Sequence, residues 1–257
     1  MSFEFPLVFF TVLTQLGAGM AIFLCWSLYS SSQDRNKIKK AWICITAVSC
    51  IGLVLSLFHL GHPFDAYKAL YNLGASWLSW EGLGFACFCG LAFINIFCYS
   101  RALAVLTALV GAFSLFAQGM TYSPPSIPAL NNLLPMAIFW LSALALGACA
   151  VAVHLQETHE NIIRFLVFAL LIVLLAAPAI WISGTTTMRE SSDLWATSPW
   201  FWAGIILVAF ALAATWLFAK RNVKVQAICL LCGIICTRMV FFADTAHTAA
   251  NLGLPFN

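Results

Sequence analysis

The chain has 257 residues, of which 63% are hydrophobic and only 8% charged, with a formal net charge of +3. A soluble domain carries about 25% charged residues, so this composition and a mean hydropathy of +0.96 exclude a water-covered globule and require lipid over most of the surface. The positive excess sits in short loops between apolar runs, which makes it a matter of membrane topology and excludes a nucleic-acid-binding face.

The chain opens Met1-Ser2-Phe3-Glu4-Phe5-Pro6, acidic where a secretory signal is basic, and stays apolar to about Tyr29. This predicts a retained first helix over 5–30, ended by the polar stretch 31–40, and a second helix over 41–60. The third and fourth, 77–99 and 101–122, are joined so briefly at Ser100 that they form an antiparallel hairpin, and Ser123-Pro124-Pro125 stops the fourth. Runs at 133–154 and 161–183 follow. The second of these carries Pro178, which removes the bond to the Leu174 carbonyl and predicts a kink. Thr197-Ser198-Pro199 reads as a helix start, leading into 200–219 and then 225–247. Each run approaches the roughly 20 residues that cross a bilayer. The expected fold is an all-α integral membrane protein of about eight transmembrane helices, a single bundle domain over 1–257.

Charge orients the bundle. Arg35, Lys37, Lys39, Lys40, Arg101, Arg164, Lys220, Arg221 and Lys224 follow odd-numbered spans, whereas the opposite side holds only Lys68 and Arg189. Basic loops stay inside, so both termini are expected on the outer side, the periplasm if the host is a bacterium.

Several residue patterns are expected to be structural. Seven of the ten cysteines are scattered through apolar runs, and Cys229, Cys232 and Cys236 stack on one helical face without a second knuckle, so no metal site is expected. Gly17-Ala18-Gly19 and Gly82-Leu83-Gly84 suit close helix packing. Trp26, Trp77, Trp80, Trp195, Trp200 and Trp202 fall near predicted membrane edges, as interfacial anchors do.

The orientation gathers titratable residues at the outer end: Glu4, His59, His62, Asp65, Glu81, Asp244 and His247. His62 and Asp65 read first as wet interfacial side chains and second as proton carriers. Glu81, about one turn into the third helix, and Arg238, roughly 14 Å deeper than His247 at 1.5 Å per residue, each need a partner or a polar cavity. Asp244 is six residues from Arg238 and lies on a different helical face, so a direct bond between them is not expected. Such a cluster suits proton handling for a membrane-soluble two-electron donor. A quinol releases two protons as its electrons leave, and histidine accepts one near neutral pH.

At this point the residues resemble a known family. Glu4-Phe5-Pro6-Leu7, Phe10-Thr11 and Gln15 resemble the opening of the dimethyl sulfoxide reductase membrane-anchor family. His59-Leu60-Gly61-His62-Pro63, followed by Gly74-Ala75-Ser76, Leu78-Ser79 and Glu81, is similar to its second motif, His-Leu-Gly-x-Pro then Gly-Ala-Ser-x-Leu-Ser and Glu. Arg238 with Phe241-Phe242 resembles its last-helix pattern. The resemblance implies a haem-free anchor in the bacterial inner membrane that serves anaerobic respiration. It implies menaquinol as substrate, with a four-cluster ferredoxin-like iron–sulfur subunit and a molybdopterin catalytic subunit as partners holding the metal cofactors. It places His59 and Glu81 at the quinol site, with Glu4, Pro6, Gln15, Gly61 and Pro63 as motif residues. His62 stands where relatives carry a small polar residue, and the role of His247 stays open.

Two other readings remain. A b-haem anchor needs facing histidines at one depth, for which His59 and His247 are the available pair. A secondary transporter needs repeats and broken helices near the midplane, and Pro178 is the one candidate break.

Overall fold

The computed structural model of the chain describes residues 4–30, 34–59, 63–155, 160–217 and 223–247. Among these residues there is no strand. The α-helices are α1 (Phe5–Ser30), α2 (Arg35–Ser56), α3 (Trp77–Phe97), α4 (Arg101–Thr121), α5 (Leu134–Leu155), α6 (Glu160–Ile182), α7 (Thr186–Thr197), α8 (Pro199–Leu217) and α9 (Val223–Ala243). Short 3-10 helices cover Leu57–His59 and Pro63–Asn72. Seven helices are long and apolar enough to cross a membrane, and an eighth span arises if α7 and α8, bent by 65° at their junction, count as one.

Helix α1 is the hub and touches α2, α4, α5 and α9. Its glycines make this possible. A Cβ at Gly19 would overlap the Ala143 carbonyl, and one at Gly147 would overlap the backbone of Gly19, so α1 and α5 meet backbone to backbone. Gly17 faces Ser49 of α2, and Gly84 faces Ser114 of α4 in the same manner. With lipid as apolar as the helices themselves, close approach of this kind is a main source of cohesion. Gly82 differs from the expected packing role: a Cβ there would meet nothing within 4 Å.

Cross-helix bonds fix which ends lie together. At the basic end Lys37 Nζ donates to the Leu155 carbonyl at 3.4 Å, and Arg164 bonds the Thr215 hydroxyl and carbonyl at 3.2 and 3.0 Å. At the opposite end Trp181 Nε1 donates to the Ala129 carbonyl at 2.7 Å, and the Ala246 amide donates to Ser191 Oγ at 3.0 Å.

Three expectations are corrected here. The second helix starts at Arg35 and loses α-geometry after Ser56, so His59 closes a 3-10 turn rather than an α-helix. The stretch between the expected runs 161–183 and 200–219 holds a helix that those runs leave out, α7, in which Thr187, Ser191, Ser192 and Trp195 recur at helical spacing and are buried. Trp195 is not an interfacial anchor. It is fully buried, crosses Trp181 edge-on at 4.4 Å and donates to Thr245 Oγ1 at 3.1 Å. The other five tryptophans named above are exposed by 38 to 48%. Helix α6 runs on through Pro178, whose carbonyl accepts from Ser192 of α7 at 2.8 Å.

Candidate functional site

Four helices each bring one polar side chain to a common buried line. Arg238 of α9 donates from Nη2 to Gln15 Oε1 of α1 at 3.0 Å. Gln15 Nε2 donates to Gln118 Oε1 of α4 at 2.7 Å. Gln118 Nε2 donates to Glu81 Oε1 of α3 at 3.0 Å, with Thr14 Oγ1 at 3.4 Å as a second acceptor. Glu81, Gln15, Gln118 and Arg238 are each no more than 1% exposed.

The direction of the line is set by its ends. Arginine only donates, and a carboxylate only accepts, so both intervening amides must point their oxygens toward Arg238 and their nitrogens toward Glu81. Two glutamines thereby connect a buried cation to a buried carboxyl that do not touch. Charges withdrawn from water are tolerated only when paired or richly hydrogen-bonded. This line supplies the bonds, and the aromatic floor supplies the rest. The Arg238 guanidinium carbon lies 4.0 Å from the Phe139 ring centroid and 5.5 Å from that of Phe241. Ser142 Oγ, at 3.5 Å, is a marginal further acceptor. Arg238 Nε and Nη1 and Glu81 Oε2 have no hydrogen-bond partner among the described residues.

Glu81 also forms part of the wall of a cavity of about 410 Å³. The cavity lies between the end of α2, the 3-10 helix Pro63–Asn72 and the first half of α3, and Phe10 of α1 and Tyr122 just beyond α4 also line it. Its lining is almost wholly apolar, and Val54, Tyr67, Leu70 and Leu78 at its margin are themselves surface-exposed. Ser79, one turn before Gly82 and Leu83, donates to the Ala69 carbonyl and ties the 3-10 helix to α3. Gly82 lines this space, which is why it has no packing neighbour. A mostly apolar slot with few convergent polar groups is the usual form of a small-molecule site.

The remaining predicted site residues separate into groups. The His59 side chain, and His62 and Gly61 entirely, lie outside the described residues, although Leu57 in the same 3-10 turn as His59 lines the cavity. Asp65 pairs with Lys68 at 2.8 Å on the partly exposed 3-10 helix, three residues apart. Pro63 opens that 3-10 helix, and Pro6 is the second residue of α1. Glu4 is exposed, and its backbone carbonyl accepts the Leu7 and Val8 amides that start α1. Asp244 is buried, does not bond Arg238, and leaves Oδ1 without a partner among the described residues. His247 is exposed. Gln118 and Tyr122 are not among the residues that the sequence pattern singles out, and Gln15 is there only a motif position. Among the described residues no three His, Cys, Asp or Glu side chains are grouped to hold a metal ion.

Comparison with known proteins gives concordant results. Residues 1–244 match the family described as DMSO reductase anchor subunit (DmsC). The protein is 32% identical over 156 residues to the C subunit of the anaerobic dimethyl sulfoxide reductase of Haemophilus influenzae, covering 56% of each protein. It is 28% identical over 204 residues to the anaerobic dimethyl sulfoxide reductase subunit YnfH of Escherichia coli, covering 74% of this protein and 72% of YnfH. The first match thus spans little more than half of the relative's length.

Proposed function

The chain belongs to the DMSO reductase anchor subunit family, and from that premise we propose that it oxidises menaquinol in the Glu81 cavity and passes the electrons to partner subunits. The observation that carries this reading is Glu81 itself. One oxygen is held by Gln118, and the other has no partner among the described residues in the wall of an apolar slot. A quinol ring fits such a slot, and the exposed apolar margin gives its isoprenoid tail a way into lipid.

The reaction releases two protons and two electrons from each quinol and leaves the quinone. A hydroxyl directed at Glu81 Oε2 gives one proton to the carboxylate. We assign the second to His59, by its motif position and because Leu57 of its own turn lines the cavity. In this reading His62, Asp65, Asp244 and His247 belong to the proton outlet at the outer face. Arg238 acts at a distance, by orienting Gln15 and Gln118 and so the carboxyl. The electrons go to a four-cluster iron–sulfur subunit docked on the outer face, then to a molybdopterin subunit that reduces an S- or N-oxide in anaerobic respiration. Both termini lie outside, and the membrane is the bacterial inner membrane.

Glu81→Gln in the assembled complex tests the assignment. It keeps an acceptor for Gln118 but cannot take a proton, so quinol-driven turnover should fall about a hundredfold. Turnover with an artificial one-electron donor that feeds the metal subunits directly should stay normal. Unchanged quinol-driven turnover in this variant would overturn the proposal.

A further inference from the structure

We propose that a cleft at the basic end of the bundle, between the start of α2 and the end of α3, binds the headgroup of an anionic phospholipid with a hydroxyl-bearing head, phosphatidylglycerol in chemical terms. The cleft has a volume of about 240 Å³ and is lined by Arg35, Lys39, Asn36, Asn95, Phe97 and Tyr99, among others. It lies at the far end of these helices from the Glu81 cavity and shares no residue with it.

Its depth suits a headgroup. Asn36 is the second residue of α2 and Asn95 the third from the end of α3, so both lie within about 3 Å of a helix terminus at 1.5 Å per residue. Arg35 and Lys39 are spaced i, i+4 and share one face of α2. Lys37, between them in sequence, reaches away to the Leu155 carbonyl, and Arg101 lies over Tyr29. Asp34 accepts the Asn36 amide at 3.0 Å as the α2 cap. With Arg35 and Lys39 in its lining and no carboxylate there among the described residues, the cleft is net positive, the condition for holding a phosphodiester.

Asn95 discriminates among lipids. It is 1% exposed, and its Nδ2 donates to the Leu91 carbonyl at 3.0 Å and to Thr107 Oγ1 at 2.8 Å. Thr107 spends its own proton on the Leu103 carbonyl at 2.8 Å, so it must accept from Asn95, which fixes the amide with its oxygen the other way. That oxygen, Oδ1, is buried in the lining with no partner among the described residues. A cleft lined by two cations and by a residue with an unpaired acceptor is matched by a ligand that is anionic overall yet carries a neutral donor. Phosphatidylglycerol provides both in its phosphate and glycerol hydroxyls. Phosphatidylethanolamine offers a donor too, but it brings an ammonium next to Arg35 and Lys39. Phe97, 66% exposed at the margin, gives the acyl chains an apolar surface.

Native mass spectrometry of the detergent-solubilised complex, titrated with phosphatidylglycerol or phosphatidylethanolamine of matched acyl length, tests this. Phosphatidylglycerol should bind about tenfold more tightly than phosphatidylethanolamine, and Arg35→Gln with Lys39→Gln should remove about tenfold of that affinity. Lys37→Gln, which alters the same end without touching the cleft, should change it little. Asn95→Leu should reduce the preference between the two lipids. Equal affinity for both lipids, or equal losses in Lys37→Gln and the double variant, would overturn the proposal. So would displacement of the lipid by millimolar glycerol phosphate or inorganic phosphate, which would make this a free-phosphate site. Quinol-driven turnover should survive all these substitutions, so failure here is separable from failure of the Glu81 assignment.

Discussion

Glu81 and Gln118, 37 residues apart on adjacent antiparallel helices, are joined by a buried hydrogen bond of 3.0 Å. That bond holds one oxygen of a carboxyl inside an apolar bundle, and the residue that carries it lines a cavity. The buried line continues from Gln118 through Gln15 to Arg238.

The first prediction concerns Gln118. Gln118→Leu strips Glu81 Oε1 of its donor and Gln15 Nε2 of its acceptor. Each orphaned buried group costs about 1–3 kcal/mol, and thermal unfolding in detergent should show it. Quinol-driven turnover should fall at least about tenfold as the carboxyl loses its fixed pose. A variant with normal turnover would mean that the buried line has no role in the site.

The two charged ends should be thermodynamically coupled although they do not touch. Arg238→Met leaves Gln15 without its donor, and Glu81→Gln changes the other terminus of the same line. In a double-variant cycle the interaction energy should lie in the range of about 0.5–3 kcal/mol found within shared networks. Strict additivity of the two unfolding shifts would show that the line does not transmit.

Glycine positions should separate sharply by what lies opposite. Gly147→Val sets a side chain into the backbone of Gly19, which cannot yield, and should prevent recovery of a monodisperse protein in size-exclusion chromatography. Gly90→Ala meets nothing within 4 Å and should be tolerated or slightly stabilising.

Gly82→Leu meets no packed neighbour, yet it extends into the cavity that Glu81 lines. The protein should fold at wild-type yield while a quinol-analogue inhibitor loses about tenfold or more in affinity. Unaltered inhibition, measured by titrating turnover, would place the quinol elsewhere.

Orientation is open to direct labelling. With cysteines introduced at Lys68 and at Lys39 in a background lacking exposed native thiols, an impermeant maleimide applied to intact cells should react only at Lys68. The reverse pattern would invert the bundle and move the Glu81 cavity to the inner face.

The contrast between Glu81 and Gln118 shows how far sequence reading reaches. A charge inside an apolar run is costly wherever it sits, so Glu81 and Arg238 stand out before any partner is known. Gln118 is the sole amide in α4, and Gln15 the sole amide in α1. Buried amides in spans are cheaper than charges and commonly join helices, a signal that flags both residues without saying what they join. Helix α7 escapes for the opposite reason. Its composition is polar enough to suit a loop, and its Trp195 suits a membrane edge as readily as a core.

What the sequence alone determines is a set of local quantities: hydrophobic length, charge asymmetry, the cost of each isolated ionisable group, and the motifs that mark the family. These suffice for an all-helical membrane bundle with Glu81 and Arg238 as its anomalies. The tertiary structure alone decides that these two anomalies are one feature. They lie on α3 and α9, and two amides from α1 and α4 close the gap between them. No local pattern encodes that, because it depends on how four helices rotate and slide when glycines such as Gly19 and Gly147 let α1 sink into the centre of the bundle.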